Sequence, residues 1–198
     1  MTPEEAGFYG VYRSCRDAAW RCLLEFGSTK LPVKVTGIAK RAGIRVIRNS
    51  DVHELRDGEL AVSICDSGRW TIVYDDTLDV MTMRFVTAHE LGHIFLGHDY
   101  RSAAKRFAFS GRKLALEREA DMFAARLLAP AFALHELGAL SAPDICEICG
   151  IPLRQAIERS KRMATLEARN GFYKCPLERS LYDRYKPYLD SFRSKNGR

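Results

Sequence analysis

The sequence predicts an α+β fold in which a small mixed sheet of about three strands precedes a mostly helical C-terminal half. Short β-rich runs separated by turn residues occupy the first 75 residues, whereas nearly everything after "DDTLD" has apolar residues at helical spacing. The 198 residues suffice for one compact domain, or for one domain with a small appendage. We expect a main domain over residues 1–140 and a helical, basic region over residues 141–198.

The N-terminal part is expected to contain two helices and about three strands. Glycines and turn residues mark where these elements end. The linker "DSGR" supplies turn chemistry between two β-rich runs and therefore predicts a hairpin. The predicted elements are a helix over Glu4–Phe26, a short helix that opens near Thr36, and strands at Ile44–Ile47, Leu60–Cys65 and Trp70–Tyr74.

Two long helices follow, and both have a predominantly apolar side. The first begins near Val80 and runs to about Gly97. The second covers residues 113–129 and must stop by Pro130, because proline cannot continue a helix. We expect these two helices to pack against each other.

The first long helix carries the motif His-Glu-x-x-His at residues 89–93. Residues four apart lie about 40° apart around a helix, so His89 and His93 can reach the same metal ion. Glu90 would lie beside the ion and act as the catalytic base, because zinc lowers the pKa of the water that it binds. Exposed histidines among common helix formers are the alternative, but the helix is apolar nearly all round. Buried imidazoles need a partner, which favours Zn²⁺.

A third protein ligand is needed, and His98 is out of register for it. On a continued helix its side chain would point about 140° away from His93, so we expect it to lie at the mouth of the site or to have no role. Glu117 and Asp121 on the second helix share a face, whereas Glu119 lies about 200° round from Glu117. The sequence favours Glu117 as the third ligand, with Glu119 as the alternative. Asp121 is expected to support a ligating imidazole.

The cysteine content and the N-terminus indicate the compartment. The first thirty residues carry charges at short intervals and lack the apolar run of a signal peptide or a membrane span. We therefore expect a cytoplasmic protein that does not enter a membrane. Its six cysteines should be free thiols under reducing conditions. The one Cys-x-x-Cys, at 146–149, lacks the second ligand pair of a zinc ribbon.

The C-terminal region has the spacing of a helix-turn-helix, with a turn at Gly150 and a second helix opened by Pro152. From Ile151 onward the chain carries twelve Lys and Arg against five Asp and Glu, so DNA is a possible partner. A DNA-reading helix needs polar and basic residues at its start, and only Arg154 and Gln155 qualify. A helical hairpin that packs on the main domain, or that contacts a protein substrate, is at least as well supported.

The segments "RFVTAHELGHIFLGH" and "EREADMFAARLLAP" together resemble the two signature helices of the ImmA/IrrE metallopeptidases. The resemblance extends more weakly over most of the chain. It implies a small zincin-like domain in which His89 and His93 match the zinc ligands, Glu90 the catalytic base and Glu117 the third ligand. The family often has Asn where Asp121 stands. In zincins generally, an edge strand beside the active-site helix pairs with the substrate, and "WTIVY" is the best candidate here.

The resemblance also implies a function. Members with known roles cleave a helix-turn-helix repressor and so release genes of mobile elements, phages or stress responses. We therefore expect a bacterial, zinc-dependent endopeptidase with such a repressor as its substrate. The alternative is a regulatory or antitoxin-like binding module whose zinc is structural and whose C-terminal helices bind DNA or a protein. The open fourth position of a three-ligand site argues against a structural zinc.

Overall fold

A computed structural model describes residues 3–27, 29–98 and 111–195. Its elements confirm the predicted α+β fold, with the strands in the N-terminal part and helices throughout the rest. In chain order they are α1 (Pro3–Glu25), α2 (Val35–Arg41), β1 (Arg45–Arg48), α3 (Asn49–Val52), β2 (Ala61–Asp66), β3 (Arg69–Tyr74), α4 (Val80–Phe95), α5 (Gly111–Leu128), α6 (Ala131–Leu137), α7 (Ala142–Cys149), α8 (Leu153–Ala168) and α9 (Pro176–Lys195).

The sheet is mixed and has the strand order β1-β3-β2 in the described residues. β1 pairs with β3 in parallel, and β2 pairs with β3 antiparallel. The predicted hairpin joins β2 to β3 through Ser67 and Gly68, whose φ angles are 50° and 79°. Positive φ at both central residues matches the twist of a two-residue hairpin, which explains the turn sequence.

The prediction that "WTIVY" forms an edge strand is wrong. This segment belongs to β3, which has a neighbour on each side. Ile72 and Val73 are buried, as an apolar run in the middle of a sheet requires. Among the described strands the edges are β1 and β2, and β2 also packs against α4. The edge strand beside the active-site helix is therefore β2.

A hydrogen-bonding arginine on α4 connects the C-terminal helices to the preceding elements. α7 and α8 meet at Gly150, so the predicted helix, turn and helix are present. Arg84 on α4 donates hydrogen bonds of 3.0 and 3.1 Å to the carbonyl oxygens of Gly150 and Cys149. One cluster of buried apolar side chains extends from α1 to α9. The boundary at residue 140 stays a prediction.

Of the described helices, none is by itself both long and apolar enough to cross a membrane. One pair, Leu114–Leu137 with Ala142–Cys149, reaches the required length and composition only in combination and is bent by 119°.

Candidate metal centre

α4 presents the His-Glu-x-x-His motif from a helix with defined ends. Asp79 caps its first turn, where its Oδ1 accepts hydrogen bonds of 2.9 and 3.0 Å from the amides of Met81 and Thr82. The helix ends at Phe95, and Gly97 follows with φ of 70°. Glu90 and His93 are buried. The motif therefore lies in the interior of the fold, on the last two turns of α4.

Three of the predicted residues bring ligand atoms together. Nε2 of His89 lies 2.9 Å from Nε2 of His93. Oε2 of Glu117 lies 3.1 Å from Nε2 of His89 and 3.7 Å from Nε2 of His93. Ligand atoms bound at about 2.0–2.1 Å to a tetrahedral zinc ion lie about 3.3 Å from one another. The triangle therefore has the size and the donor set of a zinc site.

Glu90 also lies close to this triangle. One carboxylate oxygen of Glu90 and one nitrogen each of His89 and His93 all lie within 4.8 Å of one another, a grouping that is compatible with a metal ion. Glu90 precedes His93 by three residues and follows His89 directly, so its carboxylate flanks the imidazole pair. A buried carboxylate in this position can accept and donate a proton beside a bound ion.

A glycine allows α5 to approach the motif. A Cβ atom built on Gly92 would lie 3.1 Å from both Cα and the carbonyl oxygen of Ala120, and 3.2 Å from Cβ of Phe123. Gly92 stands between the two histidines, and Ala120 lies about one turn after Glu117. The close backbone contact therefore sets the distance between the carboxylate and the two imidazoles.

Asp121, one turn after Glu117 on α5, contacts His89. The Nδ1–H of His89 donates to Oδ1 of Asp121 at 2.8 Å. A carboxylate only accepts, so this bond fixes the proton on Nδ1 and directs Nε2 to the triangle. Burial lowers the pKa of His89, but the hydrogen bonds with Asp121 and Glu117 and the charge of Glu90 raise it to about 9. The carboxylates around His89 therefore stabilise a positive charge at this imidazole.

His98, which the sequence excluded as a ligand, lies behind His93. The two Nδ1 atoms are 2.8 Å apart, and Nε2 of His98 is 3.3 Å from Oε2 of Glu119. Burial lowers the pKa of His98, and the charge of His93 lowers it further, while Glu119 raises it. Glu119 therefore contacts His98, which lies behind His93, rather than the triangle. The side chain of His98 is thus buried beside His93 and not directed about 140° away from it, because the chain does not continue as a helix beyond Phe95.

Comparison of the sequence with protein families gives a match over the region that contains the candidate metal centre. The Peptidase M78 family, described as the IrrE N-terminal-like domain, matches residues 39–164, which is more than half of the chain. The match contains the sheet, α4 and α5, and it extends into α8. No protein with curated annotation matches the chain.

Proposed function

The chain belongs to the IrrE N-terminal-like family of peptidases, and on that premise we propose that it is a zinc-dependent endopeptidase. A peptidase acts on a protein substrate. The observation that carries the proposal is the triangle of ligand atoms from His89, His93 and Glu117, with the carboxylate of Glu90 beside it. We assign the first three residues to the zinc ion and Glu90 to proton transfer.

When bound, zinc would polarise the scissile carbonyl group and make water acidic enough to react near neutral pH. Glu90 would take a proton from the attacking water and deliver it to the leaving amine. Asp121 would hold the Nδ1 proton of His89, so that Nε2 stays available as a ligand. His98 and Glu119 would fix the ring of His93 from the opposite side.

We further propose that the substrate is a helix-turn-helix transcriptional repressor in the bacterial cytoplasm. Resemblance to the ImmA/IrrE metallopeptidases supports this substrate class, and cleavage would release mobile-element, phage or stress genes. An extended substrate segment could pair with the unpaired edge that β2 has in the described sheet, because β2 packs against α4. All six cysteines are free thiols, which accords with a reducing compartment.

The alternative binding-module function receives support from the helix-turn-helix arrangement of α7 and α8. Of the arginines of α8, Arg154 is exposed at the start of the helix, whereas Arg159 is unsuited to DNA contact. Arg159 is 4% exposed and donates a 2.8 Å hydrogen bond to the carbonyl oxygen of Ala129, so it cannot reach a phosphate backbone. A salt-dependent gel shift with specific DNA, without cleavage of any repressor, would favour the alternative.

The test combines zinc content with cleavage of a co-expressed candidate repressor of the helix-turn-helix class. Wild-type protein should carry one zinc ion per chain and cut the co-expressed repressor. Glu117→Ala should lose zinc, whereas Glu90→Gln should keep zinc and lose cleavage. Glu147→Ala, which removes an exposed carboxylate of α7, is the control and should match the wild type. Full zinc retention by Glu117→Ala would refute the ligand assignment, and undiminished cleavage by Glu90→Gln would refute the mechanism.

A further inference from the structure

Three arginine side chains surround the ring of Tyr12 in the interior of the fold. We call Arg126, Arg159 and Arg162 the arginine cluster. Arg126 and Arg159 are only 6% and 4% exposed. The guanidinium carbons of Arg126 and Arg162 lie 4.1 and 4.4 Å from the centroid of the Tyr12 ring. Helices α5 and α8 thus bring three positive charges together beside Tyr12 of α1, two of them buried and that of Arg162 partly buried.

Neutral groups supply the hydrogen bonds that these arginines make. Arg126 donates to the carbonyl oxygen of Met122 at 2.6 Å, Arg159 donates to that of Ala129 at 2.8 Å, and Arg162 donates to the hydroxyl of Tyr12 at 2.9 Å. Within the described part of the chain, the cluster takes part in none of the ion pairs. The buried Nε of Arg126 also has no hydrogen-bond partner among the described residues.

Such a cluster is unfavourable without negative charge. Burying an ionised group costs several kcal/mol unless a counter-charge or a full set of hydrogen bonds compensates it. Burial lowers the pKa of Arg159 to about 10, and the charge of Arg126 contributes in the same direction. Burial raises the pKa of Tyr12, but the three arginines outweigh it, so that the pKa is lower than usual. The lowered pKa of Tyr12 indicates a local excess of positive charge, whereas that of Arg159 mainly reflects its burial.

The cluster lines a cavity of about 230 Å³. Among the described residues that line this cavity, Glu178 is the only carboxylate, and burial raises the pKa of that side chain. Arg16 is already paired with Asp17 at 2.7 Å, whereas Arg169 and Lys174 are exposed at the rim. The cationic side chains of the lining are Arg16, Arg126, Arg159, Arg162, Arg169 and Lys174.

A second cavity of about 460 Å³ shares the cluster but is less positive. Its lining adds the carboxylates of Asp121 and Glu158 and one further cation, Arg154. The smaller cavity therefore has the larger excess of positive charge. None of the residues that form the candidate metal centre lines the smaller cavity.

We propose that the smaller cavity binds a phosphate group, at a site separate from the metal centre. The planar fork of a guanidinium matches a phosphate in charge and geometry, and several such forks can hold its oxygens at once. Pockets that enclose organic ligands usually measure about 300–1,000 Å³, so this cavity suits inorganic phosphate, pyrophosphate or the phosphate end of a nucleotide.

The experiment uses Trp20, which lines the cavity, as the reporter. In a Trp70→Phe background Trp20 is the only tryptophan of the chain. Its fluorescence and the melting temperature are followed with inorganic phosphate, pyrophosphate or ATP at constant ionic strength. Chelator-treated protein is measured in parallel, which excludes binding at the metal centre. We expect saturable binding and a rise in melting temperature in both samples.

Substitutions of cavity-lining residues test whether the anion binds in the smaller cavity. Arg159→Met and Arg162→Met should each weaken binding on the order of tenfold or more, because each removes charge-assisted hydrogen bonds. Lys161→Met removes an exposed neighbour of the cluster and should leave binding unchanged. Should either buried variant fail to fold, Arg169→Met and Lys174→Met at the rim serve instead, with a smaller loss expected. Tighter binding of ATP than of pyrophosphate would identify a nucleotide, and equal or weaker binding would identify a free phosphate species.

Two results would overturn the proposal. One is the absence of saturable binding by all three anions. The other is binding that Arg159→Met, Arg162→Met and the rim variants leave as strong as in the wild type. In either case the arginines would act only as links between helices.

Discussion

The imidazole of His98 contacts the imidazole of His93 with 2.8 Å between their Nδ1 atoms. The end of α4 produces this contact. The amide of His98 donates to the carbonyl oxygen of His93 at 2.9 Å across Gly97, whose φ is 70°. This is the Schellman arrangement, in which the second residue past the helix cap returns to the last turn and its side chain packs there. The turn thus places a buried support behind a proposed zinc ligand.

We predict that His98→Ala weakens zinc binding by about 10- to 100-fold, because groups that orient metal ligands have effects of this size. His93 would keep its place on α4 but lose the partner of its Nδ1 atom. Competition with a chromophoric chelator measures the affinity. His53→Ala removes an exposed histidine and is the control. An unchanged affinity in His98→Ala would mean that the contact only packs the end of the helix.

The contact between Gly92 and Ala120 leads to a second prediction. In Gly92→Ala the new methyl group would lie 3.1 Å from backbone atoms of α5, so the two helices must separate by a few tenths of an ångström. Glu117 would then move away from the imidazoles, and we expect zinc affinity to fall about tenfold with the fold intact. Chelator competition and circular dichroism measure the two properties. Gly10→Ala, for which nothing lies within 4 Å of the new methyl group, is the control. Wild-type zinc affinity in Gly92→Ala would contradict this account.

Local patterns carried much of the fold prediction. Helical spacing and turn residues gave α4, α5 and the hairpin to within one or two residues, because each signal lies within a short segment. The position of His98 could have been derived from Gly97. A glycine past the helix end predicts a Schellman turn, and the residue after it then faces the last turn of the helix rather than continuing around it.

Other features depend on contacts between distant segments. The order of strands in a sheet follows from tertiary packing, so the apolar run of β3 did not reveal whether it lies at the edge or in the centre. The arginine cluster combines residues from α5 and α8, which pack around Tyr12 of α1. In the sequence, Arg159 and Arg162 resemble the solvated cations of a basic helix, and only the packed structure reveals that Arg159 is buried.

Arg84 links α4, which carries the candidate metal centre, to the C-terminal helices and provides a third prediction. In Arg84→Met the carbonyl oxygens of Cys149 and Gly150 lose their donors. We expect the free energy of unfolding to fall by about 2 kcal/mol, the range for hydrogen bonds from a charged donor. Urea denaturation measures it, and Arg154→Met, an exposed arginine of α8, is the control. A loss no larger than that of Arg154→Met would mean that the bonds contribute little.

The cysteines provide a fourth prediction, on alkylation of the native protein. Only the thiolate reacts with iodoacetamide, and burial raises the pKa of Cys22 and Cys149 to about 12. Near neutral pH these two thiols should stay unmodified, whereas Cys65, which is exposed at the end of β2, should be labelled first. Mass spectrometry of peptides after timed labelling measures the order, and urea-unfolded protein is the control in which all six cysteines should react. Rapid native labelling of Cys149 would contradict the packing of α7, because the thiol would have to reach solvent without global unfolding.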